Sequence, residues 1–209
     1  MIHRQVLGMN RYNHLIGFVV LLFVAANAEA VQPPNIILIL TDDQVWNNTQ
    51  IQMIEDRADT RSDFYQTPHM QRMADAGMTF SQAYAPHPVC SPSRHSIQVG
   101  MSPAKLKKTT NQGANYQAFI QSASIPQVLK SAFPQYKAAH FGKWHMYGHP
   151  VERGYDASDG RTNNRTGRQQ TTDQTKFWPH EDPKRSESIT DDSIQFIRHQ
   201  AVAGNPFYL

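Results

Sequence analysis

Between Pro34 and Asp42 the chain reads Asn-Ile-Ile-Leu-Ile-Leu-Thr, apolar from Ile36 to Leu40 with no alternation. A short unbroken apolar run, β-branched at Ile36, Ile37 and Ile39, is the pattern of a strand covered on both faces, as in sheets with helices above and below. The segments that follow alternate accordingly. Thr67-Pro68 starts a helix bearing Met70 and Met73 and stopped by Gly77, and Ser124 opens another whose face carries Ile125, Val128, Leu129, Ala132 and Phe133. Tyr136 to Phe141 reads as a second strand, Ile189, Phe196 and Ile197 mark a third helix ending near Gly204, and Pro206-Phe207-Tyr208-Leu209 begins another strand. Strands alternating with helices predict an α/β fold with a largely parallel sheet. Residues 45–66 and 157–188 are polar and aperiodic and read as loops, the second a long loop or lid. A stop at Leu209, a few residues into an apolar strand, reads as C-terminal truncation of a longer domain.

The N-terminus sets the expected compartment. Arg4 and Arg11 precede the apolar run Leu15–Ala26, and Ala28-Glu29-Ala30 follows as a small-residue cleavage pattern, so residues 1–30 read as a secretory signal peptide and 31–209 as the working domain. The apolar run falls short of the roughly 20 residues that a permanent membrane span requires. A secreted or periplasmic protein is expected, or a lysosomal one if the source is eukaryotic. With 20 basic against 17 acidic residues, the formal charge of +3 lacks the excess that phosphate-backbone binding would need, so nucleic acid is not an expected partner. The single cysteine, Cys90, excludes an internal disulfide and any multi-cysteine metal site.

Candidate chemistry gathers at strand ends and at one helix start. Asp42-Asp43 directly follows the first strand, where open α/β sheets bind ligands. Adjacent carboxylates repel unless a cation neutralises them, and calcium or magnesium suits oxygen ligands; alone, the pair equally reads as a turn cap beside a solvated carboxylate. Cys90 stands in Cys90-Ser91-Pro92-Ser93-Arg94 at the start of a helix running to Gly100, an electropositive position favouring an anion or a reactive thiolate; a lone cysteine is also commonly buried and inert. Gly142-Lys143-Trp144-His145 follows the second strand. His145 and His149 have the spacing of a zinc pair, but Gly148 and Pro150 oppose a helix there and no glutamate adjoins His145, so zinc is not expected.

Taken in order, Thr41-Asp42-Asp43-Gln44, Cys90-Ser91-Pro92-Ser93-Arg94 up to Gly100, and Gly142-Lys143-Trp144-His145 resemble the N-terminal part of the type I, formylglycine-dependent sulfatases. Thr67-Pro68-His69-Met70, Ala83-Tyr84-Ala85, Ser124-Ile125-Pro126 and Pro206-Phe207-Tyr208-Leu209 extend the similarity over residues 34–209. Departures fall at Ile97, Gln98 and Val99, where the family usually has two apolar residues and Thr, and at Gln135 and Ala138, where it usually has Gly and Thr.

The resemblance implies an alkaline-phosphatase-like α/β fold and hydrolysis of sulfate monoesters. It implies that a maturation enzyme converts Cys90 to formylglycine, whose hydrate attacks sulfur with one hydroxyl and expels sulfate by ionisation of the other. Asp42 and Asp43 would hold Ca2+ with residue 90 as a further ligand, and Arg94 would secure the hydrate and the carboxylates. Lys143 would bind a sulfate oxygen, and His145 would accept the proton of the second hydroxyl. Remaining ligands and the leaving-group acid would lie beyond Leu209. Implied partners are a sulfated carbohydrate or aryl sulfate and the maturation enzyme. Alternatives are a phosphatase or phosphodiesterase of the same wider fold, or an inactive fragment acting at most as a calcium-dependent glycan-binding protein.

Overall fold

The residue pattern becomes a three-layer arrangement in a computed structural model that describes residues 32–112, 116–163 and 185–209. Its sheet contains β1 (Lys137–His140), β2 (Ala157–Ser158) and β3 (Phe207–Tyr208), in the order β2-β1-β3 and parallel throughout. Ala139 pairs with Ala157, and Ala138 with Tyr208. The Ile36 segment extends the sheet beyond β3: Ile36 bridges Tyr208 in parallel, its N–H donates to Phe207 O at 2.8 Å, and Leu38 N–H donates to Leu209 O at 2.7 Å.

Strand alternation separates two cores. On one face Ala138 and Tyr208 meet Trp144 and Tyr155, with Ile125 and Leu129 of α4 (Ile125–Ala132) packed against them. On the other, Ala139 and Phe207 meet Phe196, with Ile197 alongside, both from α5 (Ser186–Ala203). The remaining helices are α1 (Pro68–Ala76), α2 (Cys90–Val99) and the short α3 (Gln117–Gln121). Pro34–Leu209 make up one unit of packing.

The helix boundaries follow their local chemistry. At α4, Ser124 and Gln127 form a reciprocal capping box, satisfying backbone donors that a helix start leaves unpaired. Gly100 ends α2 in the left-handed conformation at φ 64°, which lacks a steric penalty only for glycine.

Two expectations require correction. The Ile36–Leu40 run pairs along one edge only, and Ile37, Leu38, Ile39 and Leu40 are 46–70% exposed, because no other described element covers them. The 157–188 segment is not loop throughout: Ala157–Ser158 pair as β2 and α5 begins at Ser186. Two-residue pairing supplies no periodicity to read, and the first turn of α5 is polar. Residues 164–184 of that loop and the expected signal peptide at 1–30 lie outside the described residues. Among the described residues, no helix is long and apolar enough to cross a membrane.

Candidate active site

Cys90 is the first residue of α2, preceded by Val89 in extended conformation. Orphan N–H groups and the helix dipole make such a position electropositive. Ser91 N–H donates to Asn111 Oδ1 at 3.3 Å, and Pro92 has no N–H to satisfy. The half-buried Cys90 Sγ lies 3.4 Å from both Asn111 Oδ1 and His145 Nδ1.

Arg94 follows one helical turn later and is buried. Its guanidinium donates to Lys143 O and reaches Asp42 Oδ1 at 3.5 Å. Lys143 Nζ donates to Asp42 Oδ2. Thus Asp42, Arg94 and Lys143, from three separate segments, form one charged group, while His145 turns to the thiol. Partial burial opposes the charge on Asp42, but Lys143 and Arg94 outweigh it and hold the carboxyl below its usual range. Burial depresses Arg94, with Asp42 and Cys90 opposing. His145 is also depressed, first by burial and then by Lys143, Arg94 and Lys108, so its imidazole favours the neutral form that can accept a proton.

The loop carrying Lys143 and His145 is anchored from several directions. Gly142 N–H donates to Asp159 Oδ2 at 2.9 Å, and Trp144, fully buried, donates from Nε1 to Gly148 O at 3.0 Å. Trp144 is therefore a packing residue. His149 Nδ1 accepts from Val151 N–H, capping the 3-10 turn Pro150–Arg153.

Two cavities flank this group. A cleft of about 980 Å³ is lined by Asp42, Asp43, Arg94 and Lys143 together with the exposed Ile37–Leu40 run. A smaller cavity of about 160 Å³ is lined by Ser91, Asn111 and His145 beside the thiol. The oxygen donors of Asp42 and Asp43 suit a hard divalent cation. Among the described residues, however, no three His, Cys, Asp or Glu side chains are grouped to hold a metal, so those residues offer only part of such a site. Asn111, His95 and Thr162, which also bound this region, have no motif that would have singled them out.

This geometry accords with the comparisons. The Sulfatase family model matches residues 34–209. The chain belongs to the sulfatase family. It is 32% identical over 148 residues to the N-acetylgalactosamine-6-sulfatase of Sus scrofa, covering 64% of this chain and 26% of that protein. It is 27% identical over 187 residues to the ulvan-active sulfatase of Formosa agariphila, covering 83% and 34% respectively. The solved structure titled "Crystal structure of Ps i-CgsB" superposes with a TM-score of 0.62 at 25% identity, over 85% of this chain and 44% of that one. The sulfatase chain therefore has the α/β alkaline-phosphatase-like architecture, and it spans about a quarter of the length of the N-acetylgalactosamine-6-sulfatases it matches.

Proposed function

We propose that this sulfatase-family chain carries the nucleophile of a site hydrolysing sulfate monoesters of carbohydrates or aryl alcohols, after conversion of Cys90 to formylglycine by a maturation enzyme. The observation that carries the reading is Cys90 at the start of α2, with His145 Nδ1 3.4 Å from its sulfur. Asp42, joined to Arg94 and Lys143, lies at the neighbouring strand end.

Asp42 and Asp43 would hold a divalent cation, Ca2+ being the expected ion, with residue 90 as a further ligand; bound there, it would increase the acidity of a hydroxyl on the formylglycine hydrate. Arg94 keeps Asp42 oriented and offsets its charge. Lys143 is placed to move from the carboxylate to a sulfate oxygen, lowering the repulsion that a nucleophile meets at a sulfate ester. As the hydrate oxygen bonds to sulfur, the sulfur–oxygen bond to the alcohol breaks and the alcohol leaves with a proton. His145 Nδ1 then takes the proton of the remaining hydroxyl, the carbon–oxygen bond to sulfate breaks, and the aldehyde re-forms to be hydrated by water.

Carbohydrate sulfates are favoured by the relatives' names and by a complex of Ps i-CgsB with k-i-k-neocarrahexaose. Export through a signal peptide at residues 1–30 would put the reaction outside the cytosol.

The test is to produce the protein with a formylglycine-generating enzyme, examine the Cys90 peptide by mass spectrometry and assay an aryl sulfate and N-acetylgalactosamine 6-sulfate. Turnover should accompany the aldehyde and fall by roughly 10³-fold or more in Cys90→Ala. Turnover that persists in Cys90→Ala would overturn the reading.

A further inference from the structure

His145 has φ 48°, left-handed backbone on a residue that is not glycine. Such a conformation costs about 1–3 kcal/mol and persists where its surroundings over-determine it. Two buried side chains do so here. On the N-terminal side, Thr162 Oγ1 donates to Gly142 O and accepts from Trp144 N–H at 2.7 Å, while Thr162 O accepts from His145 N–H at 2.8 Å. On the C-terminal side, Tyr147 N–H donates to His95 Nε2 at 3.2 Å, and His95 Nδ1 donates to Ser91 O at 2.7 Å.

The second set of bonds determines the state of His95. A backbone amide can only donate, so Nε2 accepts and the ring proton sits on Nδ1, facing the Ser91 carbonyl. The ring is 1% exposed and packs edge-on against Phe119 with centroids 4.4 Å apart. It is a strut from the residue following Cys90 to the residue two beyond His145.

We infer that Thr162 and His95 are positioning residues: from opposite sides they fix the left-handed backbone at His145 and so hold its Nδ1 against the reactive group at residue 90. The inference rests on reading Cys90 and His145 as reacting partners. It adds that their separation is set by the 159–162 segment and by the second turn of α2, rather than by the strand end from which the His145 loop leaves the sheet.

The test uses two readouts. Cys90 is the only cysteine, so alkylation of the unconverted protein by iodoacetamide at fixed pH reports that thiol alone, with His145→Ala giving the rate without its partner. Thr162→Val and His95→Phe should move the rate at least half-way, on a logarithmic scale, toward the His145→Ala value. In formylglycine-bearing protein the same variants should lower kcat by about 10- to 100-fold, with KM changed by no more than about threefold. Thr162→Ser should restore both. Folded Thr162→Val and His95→Phe with parental alkylation rates would overturn the inference whatever their turnover. If either variant fails to fold, Thr162→Ala or His95→Gln is measured on the same scale, and a parental alkylation rate there overturns the inference equally. Absence of turnover in the unmutated converted protein would count against the sulfatase reading alone, because the alkylation comparison still decides the positioning.

Discussion

A side chain held on left-handed backbone, as at His145, occupies a conformation that glycine reaches without steric penalty. Substituting His145→Gly should therefore leave the fold as stable or raise its unfolding free energy by up to about 1 kcal/mol, while removing the imidazole beside residue 90. Urea unfolding measured with a turnover assay checks this; a clear loss of stability would show that the imidazole's contacts outweigh its backbone strain. At this scale, residue type and order were informative. Cys90, Arg94, Lys143, His145 and Asp42 stand out by chemistry and motif, and the structure draws them together. Asn111, His95 and Thr162 do not, because their contribution lies in which amide or carbonyl they meet after folding, and a lone Asn, His or Thr advertises no such partner.

Among the elements, α4 shows how much a helix start can determine. Ser124 is fully buried, accepts from Gln127 N–H and donates to Arg153 O at 2.6 Å, so one hydroxyl joins the capping box to the turn leading into β2. Ser124→Ala should cost about 1–2 kcal/mol by loss of the cap and an unpaired Arg153 carbonyl. Chemical denaturation checks the figure, and Ser124→Thr should recover part of it. The helices at 68–76, 90–99, 125–132 and 186–203 and the strands at 137–140 and 207–208 were legible because each has either an apolar face or a clear start and stop. The two-residue β2 was not, since its pairing with β1 is chosen by the sheet. The apolar content of Ile36–Leu40 revealed its tendency to pair but could not reveal that only one edge would be met by the described residues.

For the molecule as a whole, opposing buried ionisations govern the acid response. Burial pushes His95 down to about 4, with Lys108, His145 and Arg153 facing it, and pushes His140 down to about 4 with Arg94 nearby. Their neutral forms stabilise the fold above about pH 6.5, and that contribution is lost as pH falls toward 4, because the unfolded chain takes up protons that the folded one refuses. Asp159 acts with the opposite sign. Burial raises it to about 6, so its contribution is present below about pH 4 and lost as pH rises toward 6. Between about pH 6 and 4 these three groups together give the unfolded state a net excess of about one proton, so their share of the stability should fall by about 1.4 kcal/mol for each pH unit of acidification, with the depressed His145 adding in the same direction. Asp159→Asn should remove the offset and roughly double that slope. Urea midpoints at intervals across this window check both slopes, and an unchanged slope in Asp159→Asn would show that the carboxyl titrates normally.

The Ile36 segment has a consequence for the order of events during synthesis. Asn35 and Phe207 are hydrogen-bonded across a separation of 172 residues, and Ile36 and Leu38 take their backbone partners from residues 207–209. On a ribosome, the apolar segment at 36–40 emerges long before those partners exist, and parallel pairing between distant parts of a chain is intrinsically slow. Cys90, α2 and the His145 loop are all synthesised during that interval. The backbone pairing that seats the segment leading to Asp42 and Asp43 on the sheet edge therefore becomes available only once residues 207–209 have been translated, after every side chain of the charged group around Asp42.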